Sequence, residues 1–401
     1  MTRPLRVLQV HAHGADPAVG GVGKHLTRLG LRLPERGFEV YYLASFEEAT
    51  PPPGPTVILH DDHWKTSRVR RIRNHAGDLV SRPTQRLEAA VRASGADVMH
   101  THNLPGITTA VWEVARRLGI PVVHTVHDYQ LLCPRVTLLR PDGEACRPNP
   151  MLCGARTRRL SRWSGGVNLV LGPTAYVLRA HAEVFDPQIM RVVRNPYDDA
   201  TTSVRIPPPR RRLEALGYLG RLDHTKGVRQ LLAAAPALAR HGCSLRIAGD
   251  GKLRAEVEQA TLSLPNVQYA GVVRGQQKSD FLESCDAGIV PSIWPEPAGP
   301  ANVMLEWLSA GRPVLSSPRG GLAEAIATSG GAIEVEPAAS AIADAVGLLR
   351  DPARFRAAVA AISTVPHSGD EDRWIDEHAD IFRRVVAGQP IHGCGLGSVP
   401  R

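Results

Sequence analysis

Long apolar runs are missing from this 401-residue chain. None approaches the roughly 18 to 20 residues that span a bilayer, which argues against a membrane-crossing helix. The first apolar run, Leu5 to Val10, is interrupted by Gln9 and closed by His11. It makes a poor secretory core and a good first strand, so the chain is expected in the cytoplasm. Cysteine is scarce, with six residues, too few for a disulfide scaffold. Cys133, Cys146 and Cys153 cluster, but three thiols without a clear fourth ligand fall short of a structural zinc site, and no metal is expected. Aromatic content is only 5% and no nucleic-acid module is recognisable, so nucleic acid is not an expected partner. Paired carboxylates at glycosidase spacing are lacking as well.

What remains is a globular composition, with 43% hydrophobic and 22% charged residues. The length exceeds what one hydrophobic core usually serves, so two domains are expected. Lys and Arg number 48 against 39 Asp and Glu, a net charge of +9. Two basic runs lie in the first half. One holds Lys65, Arg68, Arg70, Arg71 and Arg73, continued by Arg82 and Arg86; the other holds Arg156, Arg158, Arg159 and Arg162. Patches of this kind attract phosphate, on an acceptor or on an anionic membrane surface.

Short β-rich runs alternate with helical patterns, the mark of parallel α/β layers. In the first half, strands are predicted at Leu5–Val10, Phe38–Ala44, Thr56–His60, Asp97–His100, Pro121–Val126, Asn168–Gly172 and Met190–Arg194. Helices are predicted between them, at Val22–Glu35, Thr84–Ser94, Ile107–Leu118 and from Ala175. Pro207–Pro208–Pro209 and Arg210–Arg211–Arg212 close a polar stretch that can continue neither a helix nor a central strand. The alternation then begins afresh at Leu216–Leu219 and Val228–Ala239, with Pro236 predicted to kink that helix. The domains are therefore set at 1–198, a linker at 199–212, 213–368, a final helix within 369–388 returning to the first domain, and a frayed tail at 389–401.

In such sheets ligands bind where strands run out into loops and helix N-termini. One loop reads Gly220-Arg221-Leu222-Asp223-His224-Thr225-Lys226-Gly227. Its glycines allow close backbone approach, and Arg221 and Lys226 can converge on a diphosphate beside a helix start. A second loop runs from Ser292 through Glu296 and three prolines into a helix that carries Glu306. Carboxylates there suit paired hydroxyls of a ribose or another sugar.

In order, Gly20-Gly21-Val22-Gly23, His127-Asp128-Tyr129, Asn195-Pro196, Gly220–Gly227, Ile247–Gly251, Glu296–Glu306, Ala310–Val314 and Gly320-Gly321 resemble family-4 retaining glycosyltransferases. The resemblance covers almost the whole chain and is strongest over 216–325. It implies an α/β fold of the GT-B type, with two Rossmann-like domains facing a cleft. It also implies transfer of a sugar from a nucleotide diphosphate, UDP-sugar favoured, with retention, no metal and no cofactor.

By the same resemblance Arg221 and Lys226 bind the donor diphosphate, Glu306 holds the donor ribose, Gly21 lets the backbone approach that diphosphate from the other domain, and Gly299 binds the donor. His127 and Glu296 lie at the transferred sugar. One departure stands out: nine residues separate Glu296 from Glu306 where the family has seven, and Ala298-Gly299 replaces an aromatic-glycine pair. Either the loop carries two extra residues or Glu296 is not the equivalent carboxylate. The acceptor is expected to be a sugar, lipid-linked glycan or small natural product, phosphorylated or held at the inner face of the membrane by the basic runs. The composition suggests a bacterial source, in cell-envelope polysaccharide, glycolipid or secondary-metabolite synthesis. The rival readings are a nucleotide-sugar 2-epimerase of the same fold and a non-catalytic sugar-nucleotide binder.

Overall fold

A computed structural model describes residues 3–12, 21–45, 52–59, 77–140, 142–146, 151–196, 212–298, 302–362 and 371–391. The basic run from Lys65 to Arg73, the Pro207–Arg211 segment, Gly299 and most of the tail lie outside them. Two compact units result. The first comprises Met1–Thr137, Arg147–Asn195 and Asp370–Arg401; the second comprises Leu138–Cys146 and Pro196–Gly369.

The first unit holds β1 (Leu5–His11), α1 (Gly21–Arg32), β2 (Phe38–Ala44), β3 (Thr56–Ile58), α2 (Gln85–Ser94), β4 (Val98–Thr101), α3 (Ala110–Arg117), β5 (Val122–Thr125), α4 (Leu152–Ser161), β6 (Leu169–Gly172), α5 (Ala175–Ala180) and β7 (Met190–Val192). All seven strands are parallel, in the order β3-β2-β1-β4-β5-β6-β7. Strands buried on both faces need apolar side chains in both directions, and Val98 and Val122–Val123 supply them. The helix predicted from Ile107 starts three residues later, at Ala110, because Thr108 sits at φ +77 and breaks helical geometry just ahead of it.

The second unit holds β8 (Ala215–Leu219), α6 (Val228–Arg240), β9 (Ser244–Ala248), α7 (Arg254–Ser263), β10 (Val267–Tyr269), α8 (Gln276–Ser284), β11 (Ala287–Val290), α9 (Asn302–Ser309), β12 (Val314–Ser316), α10 (Gly321–Thr328), β13 (Ala332–Glu334), α11 (Ala339–Leu349) and α12 (Pro352–Ala361). Its six strands are again parallel, in the order β10-β9-β8-β11-β12-β13. Helix α6 runs on through Pro236, whose ring is exposed, so the irregularity predicted there does not end it.

The last helix, α13 (Glu371–Val386), packs into the first unit. Trp374, Ile375, His378, Ala379 and Phe382 fall on one face at helical spacing. Trp374, Ile375, Ala379 and Phe382 join Leu26, Leu29 and Phe38 in the core. Asp372 pairs with Arg32 and Arg36 at 2.6 and 2.7 Å along its edge.

Candidate functional site

Strand order locates the crevices. In the second unit the order reverses between β8 and β11, and the loops leaving their carboxyl ends part there. A cavity of about 190 Å³ opens at that point, with Arg221, Lys226, Ser292 and Glu296 in its wall. The loop after β8 is braced from behind. Leu222 N–H donates to the Asp250 carbonyl at 2.8 Å and Gly220 N–H to that of Ala248 at 3.0 Å. A Cβ at Gly249 or Gly251 would collide with the Gly220 or Leu222 carbonyl, so these glycines serve the packing of one loop on the other. Gly227 ends the loop at φ +72, where a side chain would strike the Pro291 carbonyl.

Glu296 is 5% exposed. Its Oε1 accepts from Lys226 Nζ and from Ser292 Oγ, each at 2.5 Å. The Glu296 backbone is pinned as well: its N–H donates to Arg319 O at 3.2 Å, and its carbonyl accepts from Gly321 N–H at 2.6 Å. Gly320, at φ +66, forms a parallel bridge with Glu296 that leaves no room for a side chain. Arg221 differs from Lys226 in being exposed, and no carboxylate among the described residues pairs with its guanidinium. Tyr218 fixes the loop beneath it by donating its hydroxyl to the Arg221 carbonyl at 2.8 Å.

Glu306 is not brought to this cavity wall. It sits on α9, and its Oε1 accepts from Lys278 Nζ of α8 at 3.1 Å. Its neighbour Trp307 sets the helix: a Cβ at Gly217 of β8 or Gly288 of β11 would overlap the indole, and these two glycines are paired across the sheet. The indole thus lies flat on a patch of bare backbone. Gly21 opens α1, exposed, and a Cβ there would meet nothing within 4 Å among the described residues.

The switch point of the first unit lies between β1 and β4, and histidines collect there. His11 ends β1, His100 lies in β4 with His102 just beyond it, and His127 follows β5. His25 comes from α1 and His378 from α13. His102 Nδ1 lies 2.8 Å from His127 Nε2, and His102 Nε2 lies 3.0 Å from Gln9 Oε1. Burial, then the neighbouring imidazoles, hold His25, His100 and His102 well below the usual histidine range, and the same causes lower His127 to about 3. Burial pushes Asp128 up to about 6, against hydrogen bonds from Gln130 N–H and Asn103 Nδ2.

Sequence reasoning singled out only His127 from this cluster and missed His25, His102, Ser292 and Lys278. The clustered thiols are plain: Cys133 is buried, Cys146 and Cys153 are partly exposed, and all are free. In the second basic run, Arg156 and Arg159 donate to the carbonyls of Gln130 and Leu79, each at 2.7 Å, while Arg158 is exposed. No helix among the described residues is long and apolar enough to cross a membrane.

Two all-parallel sheets, each in its own unit and each with a loop-lined switch point, make an α/β two-domain fold of the GT-B type. Residues 19–201 match the model described as Glycosyltransferase Family 4, and residues 214–351 match that of Glycosyl transferases group 1. The chain belongs to the group 1, family-4 glycosyltransferases. It is similar to glycogen synthase of Mycobacterium tuberculosis, 28% identical over 378 residues that cover 87% of each chain. In fold it is similar to sucrose-phosphate synthase of Thermosynechococcus elongatus, with TM-score 0.66 at 18% identity, covering 96% of this chain and 100% of that one. Anabaena Alr3699/HepE, solved in complex with UDP and glucose, superposes with TM-score 0.63 at 15% identity, covering 94% of this chain and 99% of that one.

Proposed function

We propose that the chain transfers a sugar, with retention, from a nucleotide diphosphate onto an acceptor hydroxyl, and that UDP-sugar is the donor. The observation that carries this reading is the cavity at the β8/β11 switch point, lined by Arg221 and Lys226, where no carboxylate among the described residues forms an ion pair with the Arg221 guanidinium. As the sugar leaves, negative charge develops on the diphosphate. Arg221 and Lys226 meet that charge at a site already built for it, the largest electrostatic contribution in this scheme. Glu296 spends Oε1 on Lys226 and Ser292, which leaves Oε2 for hydroxyls of the transferred sugar. His127, in the first unit, is assigned to the same sugar, and its lowered proton affinity makes it a neutral hydrogen-bonding group there. A departing phosphate oxygen takes the acceptor's proton during same-face attack, so the scheme calls on no protein nucleophile and no metal ion.

Glu306 is assigned to the donor ribose, with Lys278 holding the carboxylate in place. Gly21 and Gly299 are assigned to the donor's path. Among the described residues nothing lies within 4 Å of a Cβ at Gly21, which fits a glycine kept for a ligand. UDP is preferred because HepE, of the same fold, was solved with it. The acceptor is taken to be phosphorylated or held at a membrane surface, on the exposed Arg158 in the last turn of α4 and on Met151 and Leu152 at its start, which are 81% and 73% exposed. Free thiols at every described cysteine suit a reducing, cytoplasmic setting.

Calorimetric titration of UDP, GDP, ADP and dTDP in EDTA, on wild type and Arg221→Ala/Lys226→Ala, tests the donor site. Micromolar binding of UDP that the double substitution abolishes is expected. No binding, or equal binding by the variant, overturns the assignment of this loop.

A further inference from the structure

Three of the clustered imidazoles do more than pack together. His25, His102 and His127 each bring a ring nitrogen within 4.8 Å of the other two. They come from α1 and from the ends of β4 and β5, so the sheet order rather than local sequence gathers them. A tetrahedral zinc ion with bonds of about 2.0–2.1 Å sets its ligand nitrogens roughly 3.4 Å apart. The 2.8 Å between His102 Nδ1 and His127 Nε2, and the 4.8 Å limit on the others, bracket that value.

Two of the three outer nitrogens face an amide oxygen. Gln9 Oε1 takes the Nε2 proton of His102, which leaves its Nδ1 lone pair turned toward His127. His25 Nδ1 faces Asn195 Oδ1 at 3.4 Å, and its Nε2 is buried with no hydrogen-bond partner. An amide oxygen behind the imidazole, as at His102 and His25, is an arrangement that orients histidine toward a metal. A buried nitrogen left without a partner is a group that a ligand would satisfy.

We propose that His25, His102 and His127 form a three-imidazole site for a divalent transition-metal ion of the zinc class, with Gln9 and Asn195 as its orienting residues. Imidazole suits zinc, and three protein ligands leave a position open to water or a donor hydroxyl. Because the ion takes up His127, its binding switches off sugar transfer. That consequence rests on the role given to His127 above, whereas the binding itself rests on geometry alone.

The test uses full-length protein stripped with chelator and titrated with Co²⁺, then with Zn²⁺ in competition. Expected are the intense visible bands of four-coordinate cobalt with nitrogen ligands, bleached by one equivalent of zinc. His25→Gln and His102→Gln should each weaken binding 100-fold or more, Gln9→Ala about 10- to 100-fold, and His241→Gln, at an exposed histidine of the second unit, not at all. A sulfur-to-cobalt charge-transfer band, a weak six-coordinate spectrum, or unchanged affinity in folded His25→Gln and His102→Gln overturns the site. If wild type shows the imidazole spectrum but zinc leaves transfer unaltered, the site stands and the role of His127 falls.

Discussion

Lys226 and Glu296 form a charge pair whose energetics can be dissected. Glu296 is 6% exposed and Lys226 23% at the side chain, so the carboxylate has little access to water and the ammonium only some. Lys226→Met leaves a buried carboxylate held by Ser292 alone. Breaking a buried pair from one side costs about 3–5 kcal/mol, and the partial exposure here places the value near ~3 kcal/mol. Glu296→Gln keeps the shape and leaves an ammonium that can rehydrate, so a loss of about 1–2 kcal/mol is expected. With both changes together no unpaired charge is buried, and the double variant should lie within about 1 kcal/mol of wild type. The cycle then gives a coupling of roughly 3–6 kcal/mol. Urea unfolding, read by hydrogen exchange in β8 and β11, isolates the second unit from the first. A double variant as unstable as Lys226→Met, or a Lys226→Met loss below about 1 kcal/mol, would refute the claim that this pair is a buried, mutually dependent unit.

Asp78 gives a pH-dependent case. Burial raises its carboxyl to about 7, while Gly106 N–H donates to its Oδ1 at 3.0 Å. A raised value means the folded state keeps its proton in acid, and that stability is lost as pH rises through 7. Asp78→Asn retains the acceptor without the charge, so melting curves should coincide near pH 3, below the ordinary carboxyl value of 3.8. They separate progressively from there to about 7, above which the variant stays ahead by up to about 4 kcal/mol. In the second unit, Gly288→Ala drives a methyl into the Trp307 indole and should cost about 1–3 kcal/mol, part of it recovered by Trp307→Phe; thermal melts of the two variants check this.

The alternation of strands and helices was legible because parallel strands buried on both faces are short continuous apolar runs, as at Val122–Val123. The loop from Gly220 to Gly227 was legible as a strand-to-helix connection, because Gly227 takes a positive φ at the helix start that other residues avoid. The partner of Lys226 was not. Glu296 meets it across 70 positions because the Gly320 bridge fixes the backbone of Glu296, and nothing local to either residue records that bridge. The histidines were hidden by the same kind of distance. Their signal lay in strand order: His11, His102 and His127 each follow or end a strand, and β1, β4 and β5 are neighbours. The hairpin paired through Leu139 and Ala145 gave no periodic pattern at all.

Helix α13 fixes an order of assembly. The chain leaves the first unit after Asn195, builds the second, and only then supplies Trp374, Ile375 and Phe382 to the first unit's core. On the ribosome, where synthesis runs from the N-terminus, the first-begun unit is thus the last completed. Until α13 emerges, the apolar faces of Leu26, Leu29 and Phe38 lack the residues that cover them, and that interval is when the nascent chain most needs a chaperone.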